Sequence, residues 1–279
     1  MSAVTIPEES IDPCIRHREL FDNLEEFYTL LIQLGILPKH ALKKSNCDIF
    51  NAFTALDAGF SDEAVAVLMH LPYLHPDCDF VEILPNTLPE RYTTCQPEVK
   101  GVAGFHSSRE LDTNRSEDVV LLPSFIKLTY QRENGHVLLY DTEKRLMRDW
   151  RPSTDPINRD NYNFDLIPAH SPTEILGHWI DRYRRLHILK YDSQMTWDTY
   201  RPALTVNDVP GGTHEWLVHE ALRHAELRIP DLYIECGWDA QSKNQSRFDS
   251  DKFIKMRDDF VKREIRPLKE QLRRWQEID

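Results

Sequence analysis

Between residues 122 and 150 the chain reads LPSFIKLTYQRENGHVLLYDTEKRLMRDW, and this stretch limits the possible folds more tightly than any other. Residues 125–132 and 136–140 are rich in β-branched, aromatic and aliphatic side chains. In the first run Ile126, Leu128 and Tyr130 alternate with Lys127, Thr129 and Gln131, the period-two pattern of a strand with one buried face. Asn134 and Gly135 stand between the runs, and both residue types tolerate positive φ, which suits the tight turn of an antiparallel hairpin. Residues 141–145 are polar and predict a second reversal into a third strand over 146–150. A three-strand meander is expected.

Helical patterns flank this centre. Asp12-Pro13 is a helix start, with Asp as N-cap and Pro at the first helical position, where its missing N–H costs nothing. Ile15, Leu20, Leu24, Phe27, Tyr28, Leu31 and Leu34 then recur at helical spacing until Gly35 and Pro38. Residues 45–56 predict a short helix or irregular chain, and Ser61 caps a helix over 62–71 whose Asp62 and Glu63 complement the helix dipole. Residues 80–84 are expected to be a strand, 93–118 a long loop, and 164–167 a further edge strand. After Ser171-Pro172 the run TEILGHWIDRYRRLHIL places Ile175, Leu176, Trp179, Ile180, Tyr183 and Leu186 on one face, a cover for the sheet. Residues 189–208 read as turn-like, Thr213 caps a helix to about 228 that Pro230 ends, and 250–278 form a last helix bent at Pro267.

Helices, then strands, then helices give an α+β fold: an antiparallel meander covered by helices, with helical N-terminal and C-terminal flanks. The organisation expected is a flexible leader over 1–11, a single domain over 12–249 and a helical extension over 250–279.

The 279 residues carry 34 Lys plus Arg against 46 Asp plus Glu, a formal charge of -12, which repels phosphate backbones and favours a basic protein partner over nucleic acid. Five cysteines, an odd number with no CxxC pair, predict reduced thiols and a place in the cytosol or nucleus. No stretch approaches the roughly 20 apolar residues needed to span a bilayer, so no membrane partner is expected.

Catalytic patterns depend on specific spacings. A zincin needs H-E-x-x-H so that both imidazoles share a helix face. In THEWLVHEALRHAE, His214, His219 and His224 are five apart, and successive rings diverge on a helix of about 3.6 residues per turn. There is no G-x-S-x-G elbow, no phosphate loop and no dinucleotide fingerprint, so neither a catalytic residue nor a cofactor or metal site is assigned. For partner binding, the acidic rim of Asp141, Glu143 and Asp149 around Trp150, a Trp flanked by charges, has the composition of an interface.

The runs LPSFIKLT, the NG turn, VLLYDTEKR and SPTEILGHWIDRYRRL together resemble Smi1/Knr4-like, or SUKH-superfamily, domains. Upstream FSDEAVAVLMHLPYL and downstream DLYIECGWD are similar to the flanks of fungal members, and the resemblance covers about residues 60–255, with a core over 60–249. It implies a non-enzymatic interaction module, since bacterial members are immunity proteins that bind toxins and yeast members are signalling scaffolds in cell-wall stress. Two other expectations stand beside it: a hydrolase or transferase with its site on the His214 to His224 helix, and a structural protein dimerising through the C-terminal helix.

Overall fold

The computed structural model describes residues 12–43, 50–90, 92, 110–111, 119–132, 135–151, 166–192, 195–198, 214–243 and 245–276. The fold is α+β, with small antiparallel sheets and helices at both ends. It divides into two compact units, residues 1–32 with 37–180, and residues 33–36 with 181–279, so that 250–279 shares a unit with 181–249.

In the first unit Asp12 caps Pro13–Arg16 (α1), accepting from the Cys14 amide, and the chain breaks at His17 before Arg18–Gln33 (α2). The long expected helix is therefore two. Asn51 caps Ala52–Asp57 (α3) and Ser61 caps Asp62–His70 (α4) through bonds to Thr54 and Ala64. Leu42–Lys43 (β1) pairs antiparallel with Tyr73–Leu74 (β2).

The meander forms, with one difference that bears on everything near it. The run 125–132 is two strands, Phe125–Lys127 (β4) and Thr129–Gln131 (β5), parting at Leu128. β4 pairs with Val137–Asp141 (β6), which pairs with Leu146–Trp150 (β7), while β5 leaves to pair with Thr87–Pro89 (β3). Thr129 holds the fork: its hydroxyl accepts from the Leu138 amide and donates to the His136 carbonyl. Residues 80–84 are not a strand, and Phe80 is 74% exposed. The strand of this region is β3 instead, after a corner at Pro85 and Asn86, where Asn86 takes φ 53°.

Gly135 is required for a reason other than positive φ. A β-carbon there would stand 2.0 Å from the Asn86 carbonyl oxygen, so only glycine lets the β3 corner close on the hairpin. The second reversal is as expected: the Asp141 carboxylate accepts from the Glu143 and Lys144 amides and Arg145 takes φ 57°. The expected edge strand over 164–167 falls partly outside the described residues, and Leu166 and Ile167 are not strand. Instead His170 exchanges both backbone bonds with Met147.

Pro172–Arg184 (α5) begins with a capping box, Ser171 and Glu174 each bonding the other's amide. In the second unit, Ile188–Asp192 and Met195–Asp198 form an antiparallel hairpin where turn was expected. His214–Glu226 (α6) ends before Pro230, which opens the next helix, Ile229–Glu235 (α7), as its early proline. Tyr233, Trp238, Phe248 and Phe253 make this unit's aromatic core, with Tyr233 and Phe253 stacked and the Tyr233 hydroxyl donating to the Leu34 carbonyl. The last helix is Ser250–Phe260 (α8), a π turn Val261–Ile265, and Arg266–Gln276 (α9). The π turn falls where proline 267 was expected to bend the chain, because a residue without N–H leaves the ladder short of a donor.

Candidate functional site

The acidic rim expected around Trp150 is not a surface of that kind. Trp150 is 3% exposed and packs with Leu121, Phe125, Val137, Leu139 and Ile167 in the core of the first unit. The charges beside it do not put it at the surface, because Asp149, the next residue of β7, is held by Trp179 of α5. Asp141 is 2% exposed and serves its own turn. Asp149 accepts from Trp179 Nε1 at 3.2 Å and lies 2.7 Å from His136 Nδ1, and the His136 and Trp179 rings meet edge to face. Glu143 alone of the four stands exposed. Trp179 is a core residue, as its place in the apolar stripe predicts.

A second histidine cluster lies at the break between α1 and α2. His17 Nδ1 is 2.7 Å from the Tyr140 hydroxyl, and Nε2 is 2.5 Å from Glu63 Oε1, which also accepts from Arg16 at 2.8 Å. A neutral imidazole satisfies all of this, with the Tyr140 hydroxyl donating to Nδ1 and Nε2–H donating to the carboxylate. Burial, the largest influence, holds the His17 pKa below its ordinary value and outweighs the hydrogen bond and charge of Glu63, which raise it; Arg16 and Arg145 add to the lowering. Burial also raises the Tyr140 pKa, which keeps that hydroxyl a donor.

The sign follows directly. A histidine whose folded pKa is depressed contributes stability that is present above its unfolded pKa of about 6.5 and is lost as pH falls through the folded value. Unfolding free energy is therefore expected to fall below about pH 6.5, and His17→Gln is expected to flatten that part of the profile. Urea titrations of both proteins between neutral and mildly acid pH would show it, and parallel profiles would remove His17 as the cause.

On the helix proposed for an enzyme, His224 stands beside a carboxylate of the same helix. His224 is exposed, 3.8 Å from Glu220 Oε2, and Glu220 is held by Arg223 at 2.8 Å. The His214 side chain lies outside the described residues. His224 opens instead on a shallow groove lined by Arg228, Phe260, Arg263 and Pro267 of the same unit.

Sequence reasoning passed over one cluster. His40, His75 and Asp77 offer donor atoms that all lie within 4.8 Å of one another. Asp77 Oδ2 is 3.7 Å from His40 Nε2 and 3.3 Å from His75 Nδ1. The signal was weak because His40 is 35 residues from His75 and 37 from Asp77, and it is the β1–β2 pairing that closes the distance.

No family model matches the chain, and no curated protein or solved structure matches it significantly. Among the described residues no helix is long and apolar enough to cross a membrane.

Proposed function

We propose that this chain is a non-catalytic protein-interaction module of the Smi1/Knr4-like kind, and that it meets its partner through the outer face of α3. The observation that carries this reading is the orientation of that short helix. Ala55 faces the interior with no exposure, while Phe53 is 86% and Leu56 40% exposed. Phe53 and Leu56 are three apart and share one face, so the larger apolar groups point outward. A helix folded for its own sake buries its larger side chains, whereas aromatic residues are enriched where a partner covers them. Further support is that the histidine–carboxylate clusters at His17 and His136 serve internal bonds, and that a formal charge of -12 steers a basic partner inward.

The paired change Phe53→Ser and Leu56→Ser is expected to abolish capture of a partner from native extract. Stability should move by no more than about 0.5 kcal/mol, as for surface sites generally. Undiminished capture by a folded double variant would remove α3 from the interface and leave this reading without its main support.

A further inference from the structure

The cluster at His40, His75 and Asp77 differs in kind from the histidine–carboxylate groups at His17 and His136 of the same unit. At His17 and His136 the nitrogen and oxygen stand 2.5 and 2.7 Å apart, which is direct hydrogen bonding. At His40 and His75 the corresponding separations to Asp77 Oδ2 are 3.7 and 3.3 Å, too long for a good hydrogen bond. Those separations suit something else. Four ligands at about 2.1 Å from a tetrahedral zinc ion stand about 3.4 Å from one another, the length of a tetrahedron's edge. We propose that His40, His75 and Asp77 bind one Zn2+ ion, with water at the fourth position.

The backbone holds the donors ready. The Ala41 amide donates to the Pro38 carbonyl at 2.9 Å, and the His75 amide donates to the Ala41 carbonyl at 2.7 Å, locking the two histidine-bearing segments beside the β1–β2 ribbon. Asp77 lies in the short helical turn Pro76–Cys78 that His75 itself caps. The Asp77 amide donates to His75 Nδ1 at 3.2 Å, a long bond that leaves the ring proton on Nε2 and a lone pair on Nδ1. The ion takes that lone pair and displaces the amide hydrogen.

Side-chain exposure fits an ion that enters from solvent, at 63% for His40, 30% for His75 and 69% for Asp77. Two neutral imidazoles and one carboxylate are the nitrogen and oxygen donors that zinc accepts in mixed sites, and three protein ligands with one open position are its usual arrangement where water stays bound. The ion would join residue 40 to residues 75–77 across the ribbon and so stiffen it.

The test uses the full-length chain, stripped with chelator and kept reduced, titrated with Zn2+ by calorimetry beside His40→Ala and Asp77→Asn. Both altered residues are largely exposed, so circular dichroism should show both variants folded. Wild type is expected to take one equivalent of zinc with a rise in melting temperature. Either variant should bind at least about tenfold more weakly, since even loss of an outer-shell partner costs a metal site about 10–100-fold, and should show no such rise. The chain has 12 histidines and five cysteines that offer competing sites, and Co2+ separates them. Visible bands of tetrahedral cobalt without an intense sulfur-to-metal band in the near ultraviolet support the cluster. A sulfur band, equal uptake by wild type and both variants, or no uptake by wild type overturns it.

Discussion

Trp150→Ala is expected to lower the unfolding free energy by about 3–5 kcal/mol, the cost of removing a large aromatic from a packed core. Trp150 is 3% exposed, stands opposite Val137 in the sheet, and touches the cluster formed by Leu121, Phe125, Leu139 and Ile167. Phe125, Val137 and Leu139 are fixed by the sheet's register and cannot follow it into the space it leaves. Domains are stable by only about 5–15 kcal/mol, so the variant would sit near the limit of folding. Trp150→Phe, which keeps most of the volume, should lose far less. Urea unfolding distinguishes this from the interface anchor that its flanking charges predicted. An anchor in solvent would shift stability by no more than about 0.5 kcal/mol on truncation, and such a result would contradict the core assignment. It follows that loss of partner capture in Trp150→Ala would report unfolding rather than a contact.

Lys127→Met should be of comparable size, about 3–5 kcal/mol, because it removes one member of a buried ion pair and keeps the other. Lys127 Nζ lies 3.1 Å from Glu90 Oε2, with side chains 5% and 7% exposed. Methionine replaces most of the aliphatic stem, so the loss isolates the ammonium. Glu90→Gln added to Lys127→Met should recover a large part of it, since a neutral amide is far easier to hold in the interior than an uncompensated carboxylate. Equilibrium unfolding of the two single variants, the double variant and wild type closes the cycle. A double variant no more stable than Lys127→Met would show that charge pairing is not what the ammonium contributes.

Lys127 also shows why part of the fold was hidden. Strict alternation over 125–132 assigns it to the solvent side of a single strand, whereas the run is two strands in separate sheets. Its burial comes from what arrives later in space: the Tyr92 hydroxyl, which accepts from the Lys127 amide and donates to its carbonyl, and Glu90, whose amide donates to the Leu128 carbonyl. Local signals such as the caps at Asp12 and Ser61 and the reversal at 141–145 depend on a few consecutive residues and were legible. The fork at Leu128 and the corner at Asn86 depend on partners distant in the chain. Site prediction failed for the same reason. Trp150 is covered by Leu121, Phe125 and Ile167 from other parts of the chain, Asp149 is held by Trp179 of α5, and the approach of His40 to His75 is set by a two-residue ribbon.

The π turn of the last helix has its own trace in the sequence. The apolar positions Phe253, Met256, Phe260, Ile265, Leu268 and Leu272 are separated by three, four, five, three and four residues. An α-helix would turn the step of five away from the stripe, yet Phe260 and Ile265 are 5% and 1% exposed. The Arg266 amide reaches back five residues to the Val261 carbonyl, and this wider loop keeps both on the inner face. Residues 261–265 thus hold one residue more than a regular helix of that reach. A heptad frame begun at Phe253 shifts by one residue there, so an unbroken seven-residue repeat does not run the length of this helix. An alignment with any homologue lacking the π turn must open a one-residue gap between Val261 and Ile265.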